Sequence, residues 1–283
     1  MATAREIRRR IRSVRNIAKI TKAMQLVAAA RMRRAQARVL EARPYADALS
    51  TVLAGLATNA RNPGHPLLAQ REPARVVVIE VTPDRGLCGS LLGNVHRRVA
   101  RTLGDERGQK RMVAVGRKAR DFARRTQTPL LGEFTGLVDG PMLGDIEPIA
   151  RLVMDAYIEE RVDRVLLAYT RFISTLTQQA VIEQLLPVVP PTQEGVPVGA
   201  HEYEPDEETV LAELLPRYVE VRLFQAVLES QASEQSARMV AMRNATENAN
   251  ERADEYTLDL NKARQAGITR EIAEIAAGAA ALG

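Results

Sequence analysis

The chain has 283 residues, a net charge of +5 and a hydrophobic fraction of 46%, which allow one or two domains with a packed core. Its single cysteine, Cys88, excludes an intrachain disulfide, and no apolar run reaches the roughly 18 residues that a membrane-spanning helix needs. Aromatic residues make up only 4% of the chain, which favours Ala-rich packing between helices over an ordinary globular core. The charged N-terminus indicates no secretory signal.

The first 43 residues predict one long basic helix. Residues 3–43 contain neither Pro nor Gly, and apolar residues recur there at three- and four-residue steps, as on an amphipathic helix. Residues 1–43 carry 13 Arg and Lys against two acids. We expect Pro44 to kink or interrupt the helix, which resumes over residues 45–58. The apolar stripe comprises Ile7, Ile11, Val14, Ile17 or Ala18, Ile20 or Thr21, Met24, Val27 or Ala28, and Met32.

The positive charge of this helix is open to three interpretations. It is typical of a solvated helix face, of a nucleic-acid or membrane-surface patch, or of a track that faces an acidic protein. No aromatic residue before Pro44 could stack on bases or anchor the helix in a membrane.

The middle of the chain predicts a Rossmann-like βαβ sheet domain, residues 75–189, because short β-branched runs alternate there with helical patterns. Residues 132–138 are weaker and predict either a loop or an edge strand. The expected strands are 75–81, 111–115, 164–172 and 178–187, and the expected helices are 91–103, 118–125 and 147–160.

Residues that could carry catalysis are sparse in this domain. Gly86, Gly89 and Gly93 follow the first strand, but their spacing matches neither the dinucleotide fingerprint nor the phosphate-binding loop, so a tight turn before a helix is favoured. Cys88 has no His beside it in sequence, which favours a small buried or half-buried residue. The three histidines, His65, His96 and His201, are scattered, so neither a metal nor a cofactor is expected.

The last segment, residues 207–283, predicts a second long helix after a Pro- and Gly-bearing linker over residues 187–201. Pro216 is expected to kink it, and no proline follows. The sheet domain brings the roots of the two long helices together, so we expect an antiparallel coiled coil flanking that domain, with residues 1–58 as its first helix. The expected seam sets Ile7, Ile11 and Val14 against Leu223, Val227, Val240 and Leu258.

The two long helices differ in length, and this predicts an unpartnered end. About 24 residues of the last helix, from near Leu260, would extend about 36 Å beyond the end of the first helix. A lone helix with apolar side chains around much of its circumference is not stable in water. We therefore expect this end to plug into another molecule.

Motifs at both ends of the chain resemble the gamma subunit of F-type ATP synthases, and they occur in the order that this family has. The C-terminal run 268–279 follows the family's signature Ile-Thr-x-Glu-x-x-Glu-x-x-x-Gly-Ala. The other matching stretches are residues 6–16, 19–24, 27–29, 43–45, 84–89, 171–173, 185–187 and 203–206.

The resemblance implies a non-catalytic rotor shaft that couples proton flow to ATP synthesis or hydrolysis. Its helical pair would turn inside a hetero-hexameric ring of alpha and beta subunits. Its sheet domain would form a base that meets the epsilon subunit and the membrane c-ring. The complex would lie at the bacterial inner membrane, with this chain peripheral on the cytoplasmic side.

The resemblance also assigns residues to partners. Contacts with the lever and catch loops of beta would come from Lys19, Lys22, Met24, Arg31, Arg33, Arg34, Arg85, Cys88, Arg264 and Gln265. An apolar bearing would be formed by Ile268, Ile272, Ile275, Ala276, Ala279 and Leu282. The contact with the membrane ring and epsilon would involve His201, Tyr203 and Glu204.

Two other functions compete with this one. A basic coiled coil that binds nucleic acid is the alternative, and a nucleotide-binding enzyme built on the sheet domain is a more distant one.

Overall fold

The computed structural model describes residues 3–59, 65–137, 140–189, 204 and 206–282. It is a mixed α/β fold, as expected, with one sheet between two very long helices of 56 and 76 residues. The elements in chain order are α1 (Ala4–Asn59), a short 3-10 helix (Pro66–Leu68), β1 (Arg75–Val81), α2 (Leu91–Asp105), β2 (Gln109–Val115), α3 (Arg117–Arg125), β3 (Leu130–Phe134), α4 (Leu143–Ile158), β4 (Arg164–Phe172), β5 (Gln178–Leu186) and α5 (Glu207–Leu282).

Neither proline interrupts its helix, so of the two expectations for Pro44, a kink or an interruption, the interruption is wrong. Helix α1 continues through Pro44, and α5 continues through Pro216. A proline removes one backbone hydrogen bond. The helix can still continue through it where buried side chains hold the turns on both sides. Leu215 and Val219, which flank Pro216, are both fully buried.

The sheet has five strands in the order β3-β2-β1-β4-β5. Strands β1 to β4 run parallel, and β5 returns antiparallel to β4 through a hairpin. The bounds of β1 and β4 are those expected from the sequence. The weak pattern near Gly132 is the edge strand β3, which begins at Leu130.

Apolar clusters cover both faces of the sheet. On one face, Val77 and Ile79 of β1 pack with α4 and with parts of both long helices. On the other face, Val76 and Val78 pack with α2 and α3. The alternation of side chains along β1 therefore separates the two layers of helices.

The chain divides into two compact units. The first unit comprises Met1–Ala28 with Met239–Gly283, and the second comprises Ala29–Arg238. In the second unit α1 and α5 pack antiparallel, because contacts that advance along α1 retreat along α5. Val39 shares an apolar cluster with Leu228, whereas Leu49, further along α1, packs against Val221.

Candidate functional site

The seam of the first unit is narrow and is built largely of small side chains. Its buried positions on α1 are separated by three, four or seven residues, as in a coiled coil. The hydroxyls of Thr21 and Thr246 meet across it at 2.7 Å. Small residues let the two helices approach closely, and the buried stripe between them is narrow. The buried residues are Ile7, Ile11, Ala18, Thr21 and Ala28 on α1 and Met242, Ala249 and Ala253 on α5.

The expected seam is confirmed at Ile7 and Ile11, is only half-buried at Val14 and Val240, and is wrong at the other three positions of α5. Ile7 and Ile11 are buried, but Leu258 is 62% exposed. Leu223 and Val227 belong to the core that covers the sheet in the second unit. Apolar periodicity alone could not separate these roles, because α5 carries an apolar stripe in both units.

Where the sequence offered two residues for a seam position, the smaller one occupies it. Ala18 and Thr21 lie in the seam, whereas Ile17 and Ile20 are 49% and 60% exposed. Val27 is likewise exposed at 53%, and Met24 is half-buried. Helix α1 thus presents large apolar side chains outward, which indicates a further contact with another molecule.

The last turns of α5 have no partner helix within the first unit. Ala4, where α1 begins, lies 17 residues before Thr21, so an antiparallel partner segment on α5 ends about 17 residues after Thr246, near Ala263. Every side chain described after Ala263 is exposed. The expected unpartnered end is therefore confirmed, and it begins about three residues later than expected.

All eight residues assigned to the bearing and the catch-loop contact lie on this end. Ile268, Ile272 and Ile275 are 53%, 62% and 72% exposed. Arg264, Gln265 and Ala276 are also exposed. Ala279 and Leu282 continue the same helix, but their side chains lie outside the described residues.

The basic residues assigned to lever contacts are mostly solvent-facing. Lys19 and Lys22 are exposed in the first unit, and Lys22 donates a hydrogen bond to Gln25 Oε1 at 3.3 Å. Arg33 and Arg34 are exposed in the second unit. Arg31 is half-buried.

The turn after β1 is held against α5 by a guanidinium group. Arg238 donates to the carbonyl oxygens of Arg85 and Gly86 at 3.4 and 3.1 Å, and it pairs with Glu234 at 2.6 Å. The side chain of Arg85 stays exposed. The turn is thereby fixed in place while it presents a cation to solvent.

Cys88, assigned to the same contact, is buried in the isolated chain, as expected for a small buried or half-buried residue. Its side chain is only 1% exposed, and burial raises the pKa of the thiol. The adjacent Leu87 is instead 64% exposed, with a backbone φ of 64° that a non-glycine residue rarely adopts. Sequence reasoning missed Leu87, although a large apolar residue inside a glycine-flanked turn was a visible signal. Arg85 and Leu87, but not Cys88, present their side chains to solvent at this turn.

The first turn of α3 already holds an anion from the chain itself. The Asp84 carboxylate accepts hydrogen bonds from the backbone N–H groups of Arg117 at 2.7 Å and Gly136 at 3.0 Å. The Thr82 hydroxyl accepts from the N–H of Ala119 at 2.7 Å. A nucleotide phosphate would use these same helix N–H groups. Asp84 and Thr82 therefore occupy the place where a phosphate would bind at this helix.

The residues assigned to the membrane ring and epsilon lie mostly outside the described part of the chain. Glu204 is exposed, whereas His201 and Tyr203 lie outside the described residues. Within the described residues, no group of three or more His, Cys, Asp and Glu could hold a metal ion. The helices in that same portion of the chain include none that is long and apolar enough to cross a membrane.

Comparison with known proteins gives one consistent result. The family profile described as ATP synthase matches residues 3–282. The chain is 51% identical to the ATP synthase gamma chain of Roseiflexus sp. (strain RS-1), over 100% of this chain and 99% of that relative. It is 48% identical to the ATP synthase gamma chain of Dehalococcoides mccartyi (strain ATCC BAA-2266 / KCTC 15142 / 195), with both chains fully covered.

Solved structures share the fold. A rotor chain of the Euglena gracilis mitochondrial ATP synthase superposes with a TM-score of 0.67 at 18% identity, covering 94% of this chain and 98% of that one. A chain from the central stalk and c-ring of the Tetrahymena thermophila mitochondrial enzyme gives a TM-score of 0.62 at 24% identity, covering 80% and 99%.

Proposed function

This chain belongs to the ATP synthase gamma-chain family, and we propose that it is the rotor shaft coupling proton flow through a membrane ring to ATP synthesis or hydrolysis. The alternative of a nucleic-acid-binding coiled coil has no support among its relatives. The observation that carries the proposal is the unpartnered end of α5. Its three isoleucines are all more than half exposed and need a cover that the described residues do not provide.

An apolar collar formed by the alpha and beta subunits would provide this cover. Apolar contact is non-directional, so an Ala- and Ile-rich helix end can turn in such a collar without breaking specific bonds. Ile268, Ile272 and Ile275 would form the bearing, and Ala276, Ala279 and Leu282 would continue it. Arg264 and Gln265, just before it, would meet the catch loop of beta.

The cations on α1 would interact with acidic lever loops of beta. Exposed ion pairs contribute only about 0–1 kcal/mol each, so a basic face can leave one lever and meet the next. The exposed positions of Lys19, Lys22, Arg33 and Arg34 suit this role. Met24 and Arg31 lie half-buried on the same helix, and Arg85 and Leu87 would extend the contact to the turn after β1.

The sheet domain would act as a base rather than as a catalytic domain. Asp84 fills the first turn of α3, which argues against a nucleotide phosphate at that helix. By family membership, Glu204 with His201 and Tyr203 would meet the epsilon subunit and the c-ring. The complex would sit at the bacterial inner membrane, with this chain peripheral on the cytoplasmic side.

An affinity-tagged full chain expressed in its own cells tests the proposal. We expect alpha, beta, epsilon and c subunits to co-purify with it and to be identified by mass spectrometry, together with ATPase activity. Cells that carry the tag alone control for background. Recovery of nucleic acid released steeply by salt, without ATPase subunits, would establish the alternative instead.

A further inference from the structure

The segment from α2 through α3 carries more positive charge than the whole chain. Residues 91–125 contain eleven Arg and Lys against three Asp and Glu, a net charge of +8 compared with +5 overall. The contacts proposed above with the ring, epsilon and the c-ring make no use of this charge.

The two helices of this segment lie side by side on one face of the sheet. Val99 of α2 and Phe122 of α3 belong to the same apolar cluster. The rings of His96 and Phe122 stack with centroids 4.4 Å apart and an interplanar angle of 9°. The outer sides of α2 and α3 therefore lie on the same face of the sheet, and we call five of their exposed arginines the basic face. It consists of Arg97, Arg98, Arg101, Arg124 and Arg125.

Few acids neutralise the basic face. All five arginines are exposed. Within the described residues no carboxylate lies within ion-pair distance of Arg98 or Arg101, and Arg97 donates a hydrogen bond to the neutral Asn94 amide oxygen at 3.5 Å. Arg125 lies over the Phe122 ring at 5.8 Å, and only Arg124 pairs with an acid, at 3.5 Å in an exposed geometry. The field of these cations is thus directed at solvent.

Two of the three acids of this segment are engaged in ion pairs, and the third, Asp105, is exposed at the end of α2. Asp121 lies 3.0 Å from Arg120, and hydrogen bonding from Arg120 lowers the pKa of its carboxyl group. Glu106 pairs with Arg164. These acids leave most of the positive charge of the basic face uncompensated.

The chemistry of this surface points to phosphate groups rather than to a protein or to single-stranded nucleic acid. A protein interface has a buried apolar core, and a single-stranded nucleic acid needs aromatic platforms. In the described part of residues 88–141 no large apolar side chain is exposed. Arginine binds phosphate through paired N–H groups. A layer of anionic lipid headgroups matches a surface that is broad, basic and without apolar anchors.

We propose that the basic face binds the phosphate headgroups of an anionic membrane surface. A fluid headgroup layer offers the same phosphates at every angle, so this contact does not hold a turning subunit in one position. The contact goes beyond the proposed rotor function, and its test does not require an assembled ATP synthase.

The basic end of α1 is a second exposed cationic surface, with which the basic face can be compared. Within the first unit, its cations share a compact structure with the part of α5 over residues 239–283, which has seven acids and five bases. The first unit keeps a net charge of +5, whereas the second unit, which contains the basic face, sums to zero over its whole length, so unit charge does not favour the basic face. A charge effect that depends only on total charge would treat the two surfaces alike.

Sedimentation of the full chain with lipid vesicles tests the proposal. One set of vesicles contains phosphatidylglycerol with phosphatidylcholine, and the other contains phosphatidylcholine alone. The test variant is Arg97→Glu/Arg98→Glu/Arg101→Glu, and the matched variant is Arg8→Glu/Arg9→Glu/Arg12→Glu on α1. All six positions are exposed, and thermal unfolding monitors the fold.

We expect binding only to the anionic vesicles, weakened by salt. Each cation near such a surface contributes roughly fivefold, so the test variant should bind at least about 100-fold more weakly. The α1 variant should keep most of its binding. Equal losses in the two variants, equal binding to neutral vesicles, or a stronger association with polyglutamate than with anionic vesicles would each overturn the proposal.

Discussion

At the residue scale, the most specific ion pair joins the start of β1 to the residue before β4. Asp163 accepts hydrogen bonds from the backbone N–H of Arg75 at 2.8 Å and from its guanidinium at 3.0 and 2.6 Å. The Asp163 side chain is 4% exposed, whereas that of Arg75 is 42% exposed. The hydrogen bonds from Arg75 lower the pKa of the Asp163 carboxyl group.

This lowered pKa predicts a pH-dependent stability. The carboxylate stabilises the fold above its ordinary pKa of about 3.8, and this contribution is lost as the pH falls from that value through the lowered one. Asp163→Asn should lower the free energy of unfolding by about 1–2 kcal/mol at pH 7, because hydrogen bonds to a charged group are lost beside a partly solvated partner.

Urea unfolding at several pH values measures this difference. The gap between Asp163→Asn and the unaltered chain should close below about pH 4. Asp155→Asn, at an exposed site on α4, is the control and should show no gap at any pH. A gap for Asp163→Asn that is constant with pH would contradict the charge explanation.

Leu87 and Cys88 give a second residue-scale prediction. Cys88 is buried and burial raises the pKa of its thiol, so both access and thiolate content disfavour reaction. Maleimide should label Cys88 in the folded chain on the order of 100-fold more slowly than a cysteine placed by Leu87→Cys in a Cys88→Ala background. Equal labelling rates would mean that the turn opens freely.

At the scale of elements, sequence patterns located the sheet well. Strands β1 and β4 are buried and rich in β-branched residues, and their bounds coincide with the expected ones. Strand β3 lies at the edge with mostly half-buried residues, so its pattern is weak. The pairing order of the strands depends on contacts between distant segments, and local patterns do not carry that information.

The long helices were predictable as helices, but the details of their seam were not. Which of two adjacent residues faces the partner helix depends on how closely the helices approach. At Ala18 and Thr21 the smaller residue is buried because the approach is close. Leu258, which was expected in the seam, lies outside it.

The small residues of the seam predict an overpacking effect. Ala28 is 1% exposed, so Ala28→Leu forces the helices apart and should cost about 1–3 kcal/mol in the free energy of unfolding. Ala23→Leu makes the same change at an exposed position of α1 and should change stability by less than about 0.5 kcal/mol. Urea unfolding of the two variants compares them directly, and similar costs would show that the seam has room for larger side chains.

The basic side of α1 gives a second prediction at this scale. Arg33→Glu/Arg34→Glu should slow coupled ATP turnover of the reassembled complex several-fold, because the lever contacts would become repulsive. Stability of the chain should change by less than about 0.5 kcal/mol, since both residues are exposed.

An adjacent exposed pair elsewhere controls for added negative charge. Arg97→Glu/Arg98→Glu on α2 should leave turnover of the detergent-solubilised complex unchanged, because the proposed ring contacts do not involve α2. Unchanged turnover in the Arg33/Arg34 variant would remove the lever assignment for these residues.

At the scale of the whole molecule, the small net charge does not reveal the basic face on α2 and α3. Residues 1–43 carry a net charge of +11, so the remaining 240 residues sum to −6. The +8 of residues 91–125 was hidden in that remainder by acids elsewhere in the chain. Only the packing of α2 beside α3 places Arg97, Arg98, Arg101, Arg124 and Arg125 on the same face of the sheet. A charge pattern along the sequence becomes a charge pattern in space only when the fold is known.

The unpartnered end of α5 should matter for assembly of the complex but not for folding of the isolated chain. Its described side chains are exposed from Arg264 onward, so this segment contributes little to the stability of the isolated chain. Removal of all residues after Ile275, or of all residues after Ala263, should therefore leave the thermal unfolding temperature of the isolated chain nearly unchanged. In the complex, the same removals delete the proposed bearing.

Both truncations should weaken the recovered complex, and the longer one more, because it also removes Ile268, Ile272 and Ile275. The measurements are the yield of chain bound to alpha and beta subunits, and the ratio of proton pumping to ATP hydrolysis in membrane vesicles. Ile268→Ser/Ile272→Ser/Ile275→Ser keeps the length of α5 and removes only its large apolar side chains. Weaker assembly in this variant would assign the effect to apolar contact rather than to the length of the helix. A truncated chain that assembles and pumps normally would show that the exposed end is dispensable, and the bearing would then have to lie nearer the seam.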